Sequence, residues 1–222
     1  MTDYPSDDHW QYGDNRLYYV HDPMCSWCWA FAPVWNRLVA ALEGTVRIET
    51  ILGGLAPDAE QPMPGVLREK IRGIWQVIEI EVPGTRFNFD FWEHCTPRRS
   101  TYPACRAVIA ASRQAPELEA YMIHAIQQAY YLEARNPSDH SVLIDLASGL
   151  GLDMTRFSGD LNAPETRAEL DWQIAFCRKL GVAGFPSLVL SHRGREYDRL
   201  RIDYRDPNAI LKQIEVITGR IN

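Results

Sequence analysis

Two cysteines three positions apart, Cys25 and Cys28, stand in the phrase His21-Asp22-Pro23-Met24-Cys25-Ser26-Trp27-Cys28-Trp29, directly after the apolar run Leu17-Tyr18-Tyr19-Val20. This placement narrows the folds open to the chain more than any other feature. Asp22-Pro23 ends a strand, because proline offers no ladder donor and holds the residue before it extended. From Trp27 to Leu42 the apolar spacing is helical. Cys25 therefore falls at or near a helix N-cap, where unpaired N–H groups and the positive end of the helix dipole favour the thiolate that attacks disulfides. Cys28 lies about one turn further on and points back toward it. The pair can close a disulfide with little backbone movement, and either thiol can resolve a mixed disulfide made by the other.

The same spacing also suits half a zinc site or two buried packing residues. A closed zinc site needs four ligands, and the sequence holds no second C-x-x-C and no paired-histidine motif. A redox pair is therefore favoured over a metal or packing role. Cys95, Cys105 and Cys177 are scattered singly. Cys177 shares a helical face with Leu170 and Ile174 and reads as a buried, inert thiol. Cys95 and Cys105 read as packing residues, since a reducing compartment disfavours their pairing.

That compartment is itself an expectation. The stretch from Met1 to Arg16 is polar and acidic, with no basic n-region, apolar h-region or small-residue cleavage site, so a cytoplasmic protein is expected. Five cysteines is an odd number, which fits reduced thiols better than a disulfide scaffold. A net charge of −6 without runs of like charge argues against nucleic acid or an anionic membrane as partner. With 222 residues, 46% of them hydrophobic, the chain can bury an ordinary core, and no stretch is long and apolar enough to span a bilayer.

Read in order, a flexible leader (residues 1–15) precedes a strand at Arg16 to Val20 and the cysteine helix, which Pro33 should kink or restart and which ends near Gly44. Thr45 to Leu52 alternates as a second strand, and Gly53-Gly54 ends it. From Ala56 to Asn162 the pattern is helical. Leu67, Ile71, Ile74 and Ile78 share one helix face, while Phe87, Phe89 and Phe91 alternate as an extended segment or aromatic loop. Helices follow from Thr101 to Gln114, through Leu118, Met122, Ala125 and Ala129, and from Ser138 or Asp139 to Gly149. Pro164-Glu165 opens a helix stopped by Gly181. Gly184-Phe185-Pro186-Ser187 then leads into a strand from Leu188 to Leu190, where Pro186 by itself reads as an ordinary trans proline. His192 to Arg195 turns the chain, Glu196 to Leu200 pairs back, and Asp206-Pro207 caps a last helix with Ile210, Ile214 and Ile217 inward.

The assembled pattern resembles the DsbA family of thioredoxin-like oxidoreductases. It does so most specifically in Asp22 to Trp29, in Gly181-Val182-Ala183-Gly184-Phe185-Pro186, and in Tyr131 to Asp139 with Tyr102 to Ala111. The last two phrases look closest to the leaderless branch holding the FrnE-like proteins, the 2-hydroxychromene-2-carboxylate isomerases and the kappa-class glutathione transferases. The resemblance implies an α/β, thioredoxin-like fold: residues 16–55 and 164–222 form the thioredoxin-like domain and residues 56–163 a helical insertion. It implies Cys25 as attacking thiol, Cys28 as resolving thiol and Pro186 as a cis proline facing them. Substrate contacts fall to Ser26, Trp27 and Phe185, the last through its backbone N–H and C=O. Ser26-Trp27 replaces the proline and histidine of the strongly oxidising periplasmic members, so a milder oxidant is expected. Ser26 reads as a helix-start residue, His21 as packed or solvated, and Trp27 as the member of the Trp27, Trp29, Phe31, Trp35 belt that meets substrate.

The function implied is thiol:disulfide oxidoreductase or isomerase through a mixed disulfide at Cys25, acting on a thiol or disulfide substrate, protein or small molecule. No bound cofactor or metal is expected, with glutathione only as a redox partner, and the insertion could offer a homodimer surface. Two alternatives stand beside it. One is a glutathione-dependent transferase or isomerase, whose kappa-class relatives carry a single serine or cysteine at the first position. The other is a non-catalytic binding module, with the C-x-x-C holding a metal or a groove holding a partner protein.

Overall fold

The computed structural model describes residues 15–192 and 196–219. Apart from Asn15, the expected leader lies outside the described residues, as does the expected turn at 193–195. The elements run β1 (Arg16–His21), α1 (Ser26–Leu42), β2 (Arg47–Leu52), α2 (Gly65–Glu81), α3 (Asp90–His94), α4 (Tyr102–Ser112), α5 (Leu118–Tyr131), α6 (His140–Gly149), α7 (Met154–Leu161), α8 (Pro164–Lys179), β3 (Ser187–His192), β4 (Glu196–Leu200) and α9 (Pro207–Thr218). This is the mixed α/β, thioredoxin-like arrangement expected from the sequence.

The strands form a sheet in the order β2-β1-β3-β4, with β1 parallel to β2 and antiparallel to β3. β1 is central and covered on both faces, which is why it reads as an unbroken apolar run and not as an alternation. Leu17 and Tyr19 pack with Phe31, Leu38 and Ile210 from α1 and α9. Tyr18 and Val20 pack with Cys177 and Leu180 on the α8 side. At the C-terminal end of β1 the chain must leave the sheet, and the redox-type motif sits at that exit.

The helices between β2 and α8 are built around Trp75, which is fully buried. Its ring meets Phe87 (centroids 4.8 Å apart), Trp92 (4.8 Å), Tyr130 (5.4 Å) and Tyr131 (5.4 Å). Stacked and edge-on pairs of this kind add to the burial of the rings themselves. The same apolar cluster takes in Met24, Ala30 and Leu52 from the β-α-β part and Leu170 from α8. The floor of the cysteine turn is thus shared with the helical segment. A second tie is Arg106 of α4, 2% exposed, which meets both oxygens of Asp58 (2.9 and 2.7 Å) and donates to the Leu161 carbonyl (3.2 Å).

Four local expectations are corrected. α1 runs through Pro33 as one helix; the proline is exposed, so its ring meets solvent, and no second start appears. Phe91 lies in a helix and not an extended segment, because the Asn88 side chain accepts from the Asp90 N–H (3.0 Å) and turns the chain. α7 was not expected as a separate helix; Asp153 caps it by accepting from the Arg156 N–H (3.0 Å), and Phe157 and Leu161 bury one turn apart. On α2 the deepest residue is Trp75, beside the expected Ile78, while Leu67, Ile71 and Ile74 are only half-buried.

Because so many rings close on one indole, Trp75→Ala should lower the unfolding free energy by about 3–5 kcal/mol, measured by urea denaturation of the full chain.

Candidate active site

Cys25 occupies the N-cap of α1, in extended backbone (φ −86°, ψ 117°), and its carbonyl accepts from the Trp29 N–H at 3.0 Å. Its own N–H donates back to the Asp22 carbonyl (3.0 Å), closing the turn that Asp22-Pro23 begins. Cys25 is 7% exposed and Cys28 is fully buried. Both are free thiols. Burial first, then the hydrogen bond and charge of Cys25, hold the Cys28 thiol well above its ordinary range. The two sulfurs are therefore chemically unlike: one is at the surface end of the helix, and the other is retained as S–H beneath it.

Facing them is the loop before β3. The Phe185–Pro186 bond is cis, and the Phe185 carbonyl accepts from the Cys25 Sγ at 3.5 Å. That carbonyl is thus engaged by the cysteine itself. The Phe185 ring lies against the backbone of Gly53, where an added Cβ would fall 2.0 Å from the ring. Residue 53 must therefore be bare for the loop to approach. Trp27 is half-buried against Tyr204 (centroids 5.1 Å apart), and with Val82, Phe185 and Ile202 it lines a cavity of about 550 Å³. Ser26 is the first residue of α1. Cys25, Cys28, Ser26, Trp27, Phe185 and Pro186 are thereby brought to one end of the molecule.

Several residues of the site escaped the sequence reading. Asp22, read only as a strand breaker, is wholly buried. Its Oδ1 accepts from the Met24 N–H (2.8 Å), and its Oδ2 from the Leu55 N–H (2.7 Å), the Thr101 hydroxyl (2.7 Å) and, more distantly, the Cys105 thiol (3.7 Å). Burial raises its pKa, and those hydrogen bonds oppose the rise. Phenols surround the pair: Tyr19, Tyr131 and Tyr204 are all pushed up, by burial first and by Cys25 and Cys28 among the further causes. The Asp-Pro dipeptide was the available signal for Asp22; nothing in the spacing of the tyrosines marked them.

The lone histidine is packed. His21 is fully buried with its ring stacked on Tyr19 (4.9 Å, 8°), and neither ring nitrogen has a hydrogen-bond partner among the described residues. The other cysteines sit apart from one another's chemistry. Cys105 faces Asp22, Cys95 donates to the Ala134 carbonyl (3.0 Å), and Cys177 is buried under β2. Among the described residues no cluster of three His, Cys, Asp or Glu side chains could hold a metal ion, and no helix is long and apolar enough to cross a membrane.

The family model described as Thioredoxin matches residues 18–213. The chain belongs to the thioredoxin family. Among solved structures it is similar to a Nitrosomonas europaea protein proposed to be a protein disulfide isomerase, at TM-score 0.80 and 27% identity over 94% of this chain and 99% of that one. It is similar also to the cytosolic disulfide reductase DsbM from Pseudomonas aeruginosa, at TM-score 0.74 and 25% identity over 93% and 100%, a protein solved as well with GSH. Among curated proteins it is 25% identical over 204 residues to the ClpXP adapter protein SpxH of Halalkalibacterium halodurans, covering 90% of this chain and 66% of that protein. The chain spans just under two thirds of the length of the curated relatives it matches.

Burial lowers the pKa of His21 to about 4. In the unfolded chain the same ring takes a proton near pH 6.5, so between those values the unfolded state binds more protons. Stability from this residue is complete above about pH 6.5 and is lost as pH falls toward 4. His21→Phe, which keeps a ring on Tyr19, should remove roughly 2–3 kcal/mol of the difference in unfolding free energy between pH 7 and 4.5. Urea titrations of both proteins at the two pH values measure it.

Proposed function

We propose that the chain is a thiol:disulfide oxidoreductase whose working pair is Cys25 and Cys28. The observation that supports it most is the asymmetry of the pair. Cys25 starts the helix beside the Phe185 carbonyl, while Cys28 is buried, retained as a thiol and turned toward Cys25. In the reducing direction Cys25 attacks a substrate disulfide, one S–S bond forms as another breaks, and the leaving sulfur takes up a proton. Cys28 then gives up its proton and attacks the Cys25 sulfur. The substrate's second thiol is released, and two electrons have passed from the pair to the substrate. The oxidising direction is the reverse. Glutathione is the class of thiol proposed to restore the pair, in keeping with the GSH found in DsbM.

Trp27, Phe185 and the cavity they share with Tyr204 are proposed to receive an apolar stretch of the substrate, and Ser26 to stand at its edge. Residues 56–163 are proposed as an insertion that walls the cysteine turn, in a protein working in the cytosol as DsbM does. A glutathione-dependent transferase or isomerase fits less well, because the second cysteine is present.

A second reading is favoured by the curated relatives. The chain would then be an adapter, as those relatives are named, its groove holding a protein partner without turnover. The two readings separate in one experiment. Insulin reduction with glutathione as reductant should be lost to background in Cys25→Ala, and Cys28→Ala should accumulate a mixed disulfide at Cys25, visible by mass spectrometry. Wild-type protein no faster than Cys25→Ala, with no adduct in Cys28→Ala, would leave the adapter reading in its place.

A further inference from the structure

A second cavity, of about 470 Å³, opens between the β1–β2 side of the sheet, α1 and the start of α5. Its volume lies within the range of small-molecule pockets. The Tyr19–Thr50 pair of the parallel ladder lies at its base. Trp35 of α1 forms one wall and is stacked on Tyr19 (4.1 Å, 27°). The other wall is α5, where Glu119, Ile123 and Gln127 recur four residues apart and so share one face. Tyr121 stands at the mouth, 60% exposed.

Three features point to an occupant. Gln127 is 4% exposed and lines the cavity, yet its side-chain amide makes no hydrogen bond to another described residue. An amide without a protein partner on a cavity wall offers a donor and an acceptor to whatever fills the cavity. Glu119 is half-buried, accepts from the Thr50 hydroxyl, and has no ion-pair partner among the described residues. Burial holds it above the usual carboxylate range, the response of an acid short of a counter-charge. The sign of the lining agrees: Glu117 adds a second carboxylate at the rim, no lysine or arginine lines the cavity, and His124 is exposed at its edge.

We propose that this cavity binds a small organic cation: a primary ammonium carried on an apolar body. The ammonium meets the Glu119 carboxylate and the Gln127 amide oxygen. The body lies along the Trp35 ring and the Ile123 side chain. An anionic ligand is refused by the two carboxylates, and a neutral one leaves Glu119 without a counter-charge. The assignment does not depend on the redox reading, because none of these side chains belongs to the cysteine site. The cavity nonetheless adjoins that site, since Tyr19 at its base is one of the residues whose phenol feels both sulfurs.

The test uses the full chain and three matched probes: 2-phenylethylamine, 2-phenylethanol and 3-phenylpropanoate, titrated by calorimetry and by NMR of the tryptophan indoles, with Trp35→Phe assigning the signal. The amine should bind with a Kd of about 1 mM, moving the Trp35 resonance, and the alcohol and acid about tenfold more weakly or not at all. Glu119→Gln preserves shape and the bond from Thr50, and should weaken the amine about tenfold. Ala120→Phe, at an exposed lining position, should fill the mouth and abolish binding even if the glutamine variant does not fold. Equal binding of all three probes, no binding of the amine, shifts confined to other residues, or full binding by Ala120→Phe would each overturn the assignment.

Discussion

The structure depends on a carboxylate taken out of water. Asp22 has lost its hydration, and donors from three parts of the chain replace it: the cysteine turn through Met24, the loop after β2 through Leu55, and the start of α4 through Thr101. Hydrogen bonds to a charged group are worth about 1.5–3 kcal/mol each, and the desolvation they answer is of similar or greater size. The net gain is therefore small, and the specificity is large, because removing any one donor leaves charge unmet. Burial first, then the hydrogen bond and charge of Cys25, keep the Cys28 sulfur protonated, while Cys25 itself sits at the helix end of the turn that Asp22 anchors. One residue thus fixes where the turn lies.

How much of this was legible depended on distance along the chain. Cys25 at the N-cap, the Asp206 cap, the hairpin partners and the stop at Gly181 all follow from signals within a few residues, and the structure carries each of them. The partners of Asp22 lie 33 and 79 positions away, and no local pattern names them. The rings around Trp75 come from the segment before α3, from α3 itself and from α5, so the sequence offered an apolar stripe on α2 but not its centre. The short helices α3 and α7 fell below the length at which periodicity speaks; one Asx turn and one aspartate cap make them. Tyr19, Tyr131 and Tyr204 sit beside the cysteines through tertiary packing alone. Arg106 runs against the pattern outright, a charged residue on a buried face that its distant partners Asp58 and the Leu161 carbonyl explain.

The relatives divide between disulfide isomerase or reductase proteins and ClpXP adapter proteins, and the geometry bears on how one fold could serve both. The Phe185 carbonyl beside the Cys25 sulfur and the cavity lined by Trp27, Phe185 and Tyr204 are the features proposed to seat an extended segment of another chain. Holding such a segment is the first half of either task. What distinguishes reduction is the buried second thiol, which completes a bond exchange that simple holding does not need. The cavity based on Tyr19 is a separate hollow of the same sheet, proposed to take a small molecule.

Gly53 carries only hydrogen at a point where carbon would stand 2.0 Å from the Phe185 ring. The gap between the loop and the first sulfur is consequently set by how far an aromatic plate can sink onto naked main chain. An enlarged residue there would act as a shim, lifting the plate and the carbonyl with it. The aperture of the site is in that sense gauged from outside it, by an atom the sequence leaves out.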